Sequence, residues 1–493
     1  MNGALDWVGV CTRAVAASAY LRRALVAEGI TTPWTADGQS FPAGTAGEPA
    51  RRWLVELAKV PWTARRVAEQ YEHNLAQVRG ALAQRPGSGS GSRRDSGGED
   101  EVARALRRTR RQLLCALIVR DCAGVAPLEE VTGAMTALAE LSVRALLAAI
   151  APELAAINGI PVDAADTAQD LLVLAMGKGG AAELNVSSDL DLIFVYGDVR
   201  ACRRIALAQA NVALPAEQAH GTVIGGEEFF DRLSRRLVAA LSQHEADGFV
   251  FRVDLRLRPH GDSGPLAVST GMLEEYFLRE GREWERFAWA KARVISEPVL
   301  SSAEDFAHTV AILDSVVQPF VYRKYFDFTA IGAIRDLHRR IGTEARRRSH
   351  GRPERRLDVK LGRGGIREIE FLAQAFCIMR GGRDHRLRAR STVSMLQTLG
   401  QVGLLDAPEA ARLIEDYRFL RRLEHALQYR DDAQTHSIPA DSAGRDAVAQ
   451  LLNMDRGEQL LRHYTRVSED VARSFDTMFP SEARLLGQGR QVD

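Results

Sequence analysis

The spacing of apolar residues changes along this chain, and the changes mark out its elements. Over 171–176 they run unbroken until Gly177, the pattern of a strand buried on both faces or of a short core segment. Gly177-Lys178-Gly179-Gly180 then predicts a sharp turn. Beyond Ser187-Ser188, Asp189-Leu190-Asp191 leads into Leu192-Ile193-Phe194-Val195-Tyr196, a second run rich in strand-forming residues. From Phe249 the period is two. Phe249, Phe251, Val253, Leu255 and Leu257 fall on one face, and Arg252, Asp254, Arg256 and Arg258 on the other, which predicts a third strand over 249–258.

Elsewhere the period is helical. Leu113, Leu114, Leu117 and Ile118, then Leu138, Leu141, Leu146 and Ile150, make residues 1–165 a helical domain. Its segment 85–101, rich in Gly, Ser and charge, is expected to be a disordered loop, because such a composition buries no core. The basic run 104–111 behind it reads as a solvated helix face. Phe229, Leu233, Leu237 and Leu241 form one stripe inside a mixed domain over 166–300. Ile366, Ile369, Leu372, Phe376 and Met379, followed by Leu413, Tyr417, Leu420, Leu423 and Leu427, give a helical domain over 301–493. The fold class expected is therefore α+β, a mixed sheet flanked by N-terminal and C-terminal helical domains.

Composition narrows the function. With 46% hydrophobic residues among 493, a sizeable core is available, and a net charge of +1 argues against a general nucleic-acid binder. Cys11, Cys115, Cys122, Cys202 and Cys377 have no metal-ligand spacing and read as reduced thiols. No apolar run is expected to span a membrane, since 137–151 is broken by Glu140 and Arg144, so the reading is a soluble cytoplasmic protein. The basic stretch with Arg346, Arg347, Arg348, His350, Arg352, Arg355 and Arg356 reads as a solvated loop or a surface for an acidic partner.

The candidate chemistry lies between 171 and 258. Glycines at the turn let backbone amides approach a phosphate closely. Asp189 and Asp191 point the same way from a strand and repel each other unless a cation lies between them; Mg²⁺, a hard ion that takes oxygen ligands, is the economical solution. Asp254 as a third carboxylate would complete a site for two metal ions, with arginines beside it binding phosphate oxygens in bidentate fashion. Each feature alone has an ordinary structural reading: a turn, a helix cap, a salt-bridged face. The order of buried strand, glycine turn, acidic strand and a further acidic strand with arginines is what points to phosphoryl chemistry on a nucleotide.

Four stretches taken together, GKGGAAELNVSSDLDLIF, FRVDLRLRPHGDSGPLAVS, GREWERFAWAKARVI and VKLGRGGIREIEF, resemble the glutamine synthetase adenylyltransferase family, whose active domains are nucleotidyltransferases. Members of that family usually carry two such domains in tandem. One attaches AMP to a tyrosine of glutamine synthetase; the other removes it with inorganic phosphate, giving ADP. This chain holds one such domain. Glu183-Leu184-Asn185, Ser187-Ser188-Asp189, 281–286 and 364–368 are similar to the amino-terminal, AMP-removing half. At the turn, Gly179, Ala181 and Ala182 stand where the family usually has Leu, a second Gly and a basic residue, and the Ala181 methyl is expected close to where a phosphate lies.

The resemblance implies Asp189, Asp191 and Asp254 as catalytic and metal-binding residues for Mg²⁺, two ions. It implies nucleotide or phosphate contacts from Gly177, Lys178, Gly180, Ser187, Ser188, Arg252, Arg256, Arg258, Lys291 and Lys360. Arg293 is expected to face phosphate as well. The turn around Lys360, Arg363 and Gly365 either reaches over the active site or only caps a helix. His260 has no histidine partner at ligand spacing, and the family does not require it. Three functions fit: the AMP-removing phosphorylase, an ATP-dependent adenylyltransferase, and a non-catalytic protein that binds glutamine synthetase or the PII signalling protein.

Overall fold

An unbroken apolar run makes a strand where neighbours cover both of its faces, and every residue of Leu171–Ala175 is buried. In the computed structural model, which describes residues 5–30, 47–84, 98–204, 222–323 and 357–479, contacts gather the chain into two compact units. One comprises Trp62–Leu113 and Thr132–Val321; the other comprises Met1–Pro61, Leu114–Val131 and Tyr322–Asp493.

The first unit carries the strands: β1 (Ile160–Val162), β2 (Leu171–Ala175), β3 (Leu190–Tyr196), β4 (Ala201–Arg203), β5 (Val253–Asp254), β6 (Ala267–Ser269) and β7 (Arg293–Val294). β2 and β3 pair antiparallel from Leu171↔Tyr196 to Ala175↔Leu192, and β7 lies antiparallel on the other edge of β2. Along the free edge of β3, β5 pairs parallel with its beginning and β6 parallel with its end. The sheet is thus mixed. Parallel neighbours require a crossover, and the Gly226–Ser242 helix lies in the one between β3 and β5, with Phe229, Phe230, Leu233, Leu237 and Leu241 buried. Phe230 stacks on Tyr196 of β3 with ring centroids 4.6 Å apart. Asp170, just before β2, is buried and accepts hydrogen bonds from the amides of Val299, Leu300 and Ser301 and from the Ser301 hydroxyl.

The second unit is helical. Its helices include Trp7–Ala17, Ala19–Ala27, Glu48–Ala58, Ile366–Arg380, Thr392–Gln401, Ala407–Tyr429, Ser442–Leu451 and Gly457–Met478, and the stripe Leu413, Tyr417, Leu420, Leu423 and Leu427 is buried. The expected α+β class, a mixed sheet with helical stretches before and after it in sequence, is borne out.

Four local expectations come out differently. The alternation over 249–258 yields only Val253 and Asp254 as ladder residues, because the Asp254 carboxylate accepts from the Arg256 amide at 2.9 Å and turns the chain. Of the loop expected at 85–101, residues 98–101 open the helix Gly98–Cys122, and 85–97 lie outside the described residues. The run 104–111 is not a solvated face: Arg107, Arg110 and Arg111 are buried. Arg111 donates to the carbonyl and carboxylate of Asp247 at 3.3 and 3.5 Å. The helix Leu128–Asn158, finally, is one unbroken element, long and apolar enough by length and composition to cross a membrane, but 61% of its apolar window is buried inside the protein, as in a core helix. Its Glu140 and Arg144 do not break it; they pair with each other and with Arg293 and Glu297. Arg346, Arg347, Arg348, His350, Arg352, Arg355 and Arg356 lie outside the described residues.

Candidate active site

The site is built where β2 ends, β3 begins and β5 joins it. After Ala175 the chain turns through the four-residue helix Gly177–Gly180. Gly177 takes the left-handed φ of +51°, and a Cβ there would lie 3.3 Å from an oxygen of the Asp191 carboxylate. A side chain at Gly177 would therefore crowd the acidic group. Gly180 is required for a different reason. Its Cβ would fall 2.0 Å from the Lys291 carbonyl oxygen and 2.5 Å from that of Ala175, so the short helix packs backbone against backbone. Ala181 is buried, its methyl inside the protein, and Ala182 adopts φ +58°.

A cation holds this turn from behind. Arg293 donates to the carbonyls of Gly179 and Gly180 at 3.2 and 3.1 Å and to Glu140 at 2.6 Å. Positive charge at the carbonyl end of a helical turn is the favourable placement. Arg293, expected at phosphate, is engaged in positioning the glycine turn. Lys291, also expected there, is buried with its Nζ 3.8 Å from the equally enclosed Glu183.

Strand register sets the carboxylates. Asp191 and Asp254 are direct partners in the parallel β3–β5 pair, so their side chains leave the same face of strands about 4.8 Å apart. Asp189 precedes β3 by one residue and receives the Arg252 Nε at 3.1 Å, while Arg252 Nη2 donates to the carbonyl and hydroxyl of Ser187, both at 2.8 Å. Ser187 is buried and Ser188 partly exposed. Arg256 closes on Asp254 through Nε at 3.0 and 2.9 Å and through Nη2. These bonds hold the Asp254 carboxyl below the usual carboxylate range. Arg258 turns back, its Nη1 on the Leu255 carbonyl at 2.9 Å.

Among the described residues no three His, Cys, Asp or Glu side chains converge into a ready ligand set. The donors nevertheless suit a hard cation. Two carboxylates aligned by register and a third nearby are oxygen ligands, and guanidinium groups beside Asp189 and Asp254 already stand in for positive charge. The Arg256 side chain is 78% exposed, so it can swing from Asp254 without breaking a packed interior.

The remaining candidates lie further out. His260, at φ +60°, packs edge-on against Tyr276 with its Nδ1 3.4 Å from Glu280. Lys360 belongs to the helical unit, where its amide donates to Asp358 in the turn before Ile366–Arg380. Neighbouring Arg363 pairs with Glu368 at 2.9 Å and Asp476 at 2.6 Å. Within 281–286, Glu285 and Arg286 are buried, while Arg282 and Trp284 are exposed. Glu285 accepts from the Arg282 amide and the Tyr276 hydroxyl, and buried Arg286 stacks on Phe320 at 4.6 Å. Sequence reasoning missed two residues that shape the site: Glu140, whose only signal was a charge inside an apolar helix, and Phe249, whose ring lies 5.0 Å from the Arg252 guanidinium.

A family model for glutamate-ammonia ligase adenylyltransferase matches residues 64–304, and one for GlnD PII-uridylyltransferase matches 335–479. The chain is 48% identical over 385 residues, 78% of its length and 40% of the relative's, to the bifunctional glutamine synthetase adenylyltransferase/adenylyl-removing enzyme of Burkholderia mallei. It is 45% identical over 396 residues to that of Ralstonia nicotianae, covering 77% of this chain and 39% of the relative. With that of Aromatoleum aromaticum it shares 41% over 448 residues, 90% of this chain and 44% of the relative. The chain thus spans about two fifths of the length of these relatives, and the family that the matches support is that of the bifunctional glutamine synthetase adenylyltransferase/adenylyl-removing enzymes.

Proposed function

We propose that this chain is a nucleotidyltransferase that removes AMP from an adenylylated tyrosine of glutamine synthetase by phosphorolysis, in the control of nitrogen assimilation. The observation that carries the reading is the parallel register that aligns Asp191 with Asp254 beside a glycine turn. The names of its relatives, adenylyltransferase and adenylyl-removing enzyme, add support, as does the similarity of 183–189 to the AMP-removing half of the family.

In this reading an oxygen of inorganic phosphate attacks the AMP phosphorus in line. The bond from phosphorus to the tyrosine oxygen breaks, ADP forms, and the freed tyrosine takes up a proton. Two anions must meet for this, so neutralising charge is the main demand on the protein. Asp189, Asp191 and Asp254 would hold Mg²⁺, two ions, which supply the Lewis acidity and charge neutralisation of the site when bound. Arg256, released from Asp254, and Lys178, within the glycine turn, would bind phosphate oxygens. Arg258 and Arg252 shape the loop and Asp189 through the bonds they already make. Ser187 and Ser188 would contact the nucleotide or phosphate at the start of β3. A tyrosine hydroxyl ionises near pH 10, so tyrosinate leaves without a dedicated acid. The PII signalling protein enters as a regulator, in keeping with the uridylyltransferase match over 335–479. In this reading the reaction runs in the cytoplasm, where phosphate and adenine nucleotides are held, and the five cysteines, buried free thiols, accord with it.

The description of the 64–304 match, an adenylyltransferase, favours a second reading in which ATP is the donor and pyrophosphate leaves. One experiment separates the two. The purified chain is mixed with adenylylated glutamine synthetase and Mg²⁺, with and without inorganic phosphate. ADP appearing only with phosphate is expected. Incorporation of label from ATP into unmodified glutamine synthetase, without phosphorolysis, would replace this reading with the second. Asp191→Asn is expected to lower turnover about a hundredfold or more with the thermal unfolding transition intact; retained turnover with unchanged metal dependence overturns the site.

A further inference from the structure

The buried arginines of the helix Gly98–Cys122 lead to the acidic end of β3. Arg111 holds Asp247, and the chain there is closed on itself by paired bonds between Glu245 and Gly248 at 2.9 and 2.8 Å. This anchors Phe249. Its ring carries the guanidinium of Arg110 at 4.4 Å and that of Arg252 at 5.0 Å, and the imidazole of His244 packs on it at 4.6 Å. Both guanidinium distances are within the range where a cation is attracted to an aromatic face.

Arg252 is unusual among the site's arginines. Its Nε and Nη2 are spent on Asp189 and Ser187, and its backbone carbonyl accepts from the Leu190 amide at 2.8 Å. It therefore ties the segment before β3 to the start of β5 from both backbone and side chain. A guanidinium is planar, and its plane decides where its donors point; the aromatic contact limits that plane. Arg110 is 5% exposed and so offers a fixed charge on the same ring.

We propose that Phe249 and Arg110 are positioning residues for Arg252, and through it for the Asp189 carboxylate. The inference rests on the reading of Asp189 as a metal ligand. It assigns a function to the basic run that charge pattern alone places in solvent: the run sets the orientation of one ligand of the site, and Arg252 acts as an internal tie instead of a phosphate ligand.

The test is Mn²⁺ binding to the full chain, followed by electron paramagnetic resonance, which needs no turnover. Phe249→Leu is expected to weaken Mn²⁺ binding about fivefold or more, and Phe249→Tyr, which keeps the ring, to stay within about twofold of the unmodified chain. In an Asp189→Asn background Phe249→Leu is expected to add nothing further, since residues acting through one another are not additive. Arg110→Met carries the same expectation should the Leu variant fail to fold. If Asp189→Asn weakens Mn²⁺ binding while folded Phe249→Leu or Arg110→Met does not, the positioning role is overturned and the metal site stands. An equal loss in the Tyr and Leu variants also overturns it. If Asp189→Asn leaves Mn²⁺ binding unchanged, the metal reading of Asp189 falls and the inference falls with it.

Discussion

Arg256 and Asp254 form an ion pair with an exposed guanidinium and a largely covered carboxylate, and their partnership sets a proton equilibrium. Hydrogen bonds from Arg256 hold the Asp254 carboxyl below the ordinary carboxylate range, with burial opposing them. Asp254 consequently stays ionised to a lower pH than a free aspartate does. Removing the guanidinium reverses this. Arg256→Gln is expected to raise the pH at which Asp254 takes up its proton in the metal-free chain. An NMR titration of the Asp254 carboxyl in both forms, without added metal, checks it, and an unmoved or lowered midpoint contradicts the hold of Arg256 on Asp254. The residues of this pair were legible in the sequence as types and as a face. Their pairing was not, because the same alternation that put Arg252, Asp254, Arg256 and Arg258 on one side also predicted a strand too long to let Arg256 fold back.

At the scale of elements, the glycine turn and the two apolar strands came directly from the sequence, since a fully buried strand and a helical turn leave few other patterns. What escaped were elements whose environment is made by distant residues. The run 104–111 looks solvated because nothing local neutralises it; Asp247, 136 residues from Arg111, does. The glycine turn itself is a case of right residues for a partly different reason. Gly177 gives space beside Asp191, as a ligand site demands, whereas Gly180 is fixed by the carbonyls of Lys291 and Ala175. Gly180→Ala must therefore push β7 away from β2 or unwind Gly177–Gly180. A destabilisation of roughly 1–3 kcal/mol is expected, the cost of overpacking a tight interior, with a lowered unfolding midpoint in denaturant. An alanine variant as stable as the parent would mean that the turn is free to move, and its role as a rigid phosphate cradle would have to be abandoned.

At the scale of the whole molecule, the helical unit is assembled from pieces far apart in sequence, and a buried charge holds two of them. Asp121 is almost wholly buried; Arg422 donates to it at 3.2 and 3.1 Å, and the Tyr429 hydroxyl at 3.3 Å. Desolvation outweighs these bonds and pushes the Asp121 carboxyl up from 3.8 to about 6. The folded chain thus grips this proton more tightly than the unfolded chain. As pH rises from about 4 to about 6 the unfolded carboxyl ionises first, so the contribution of Asp121 to stability falls through that window and is flat above it. Other carboxylates titrate over the same range, Asp416 among them, whose carboxyl burial also raises to about 6, so the group must be isolated by difference. Asp121→Asn keeps the shape and cannot ionise. The stability of the parent minus that of this variant is expected to decrease between pH 4 and 6 by on the order of 1–3 kcal/mol, measured by denaturant unfolding at matched ionic strength. A difference that rises over the window would mean that Arg422 outweighs burial and that the pair is a net stabilising ion bridge. A flat one would mean that water reaches Asp121 and that this junction is looser than its packing indicates.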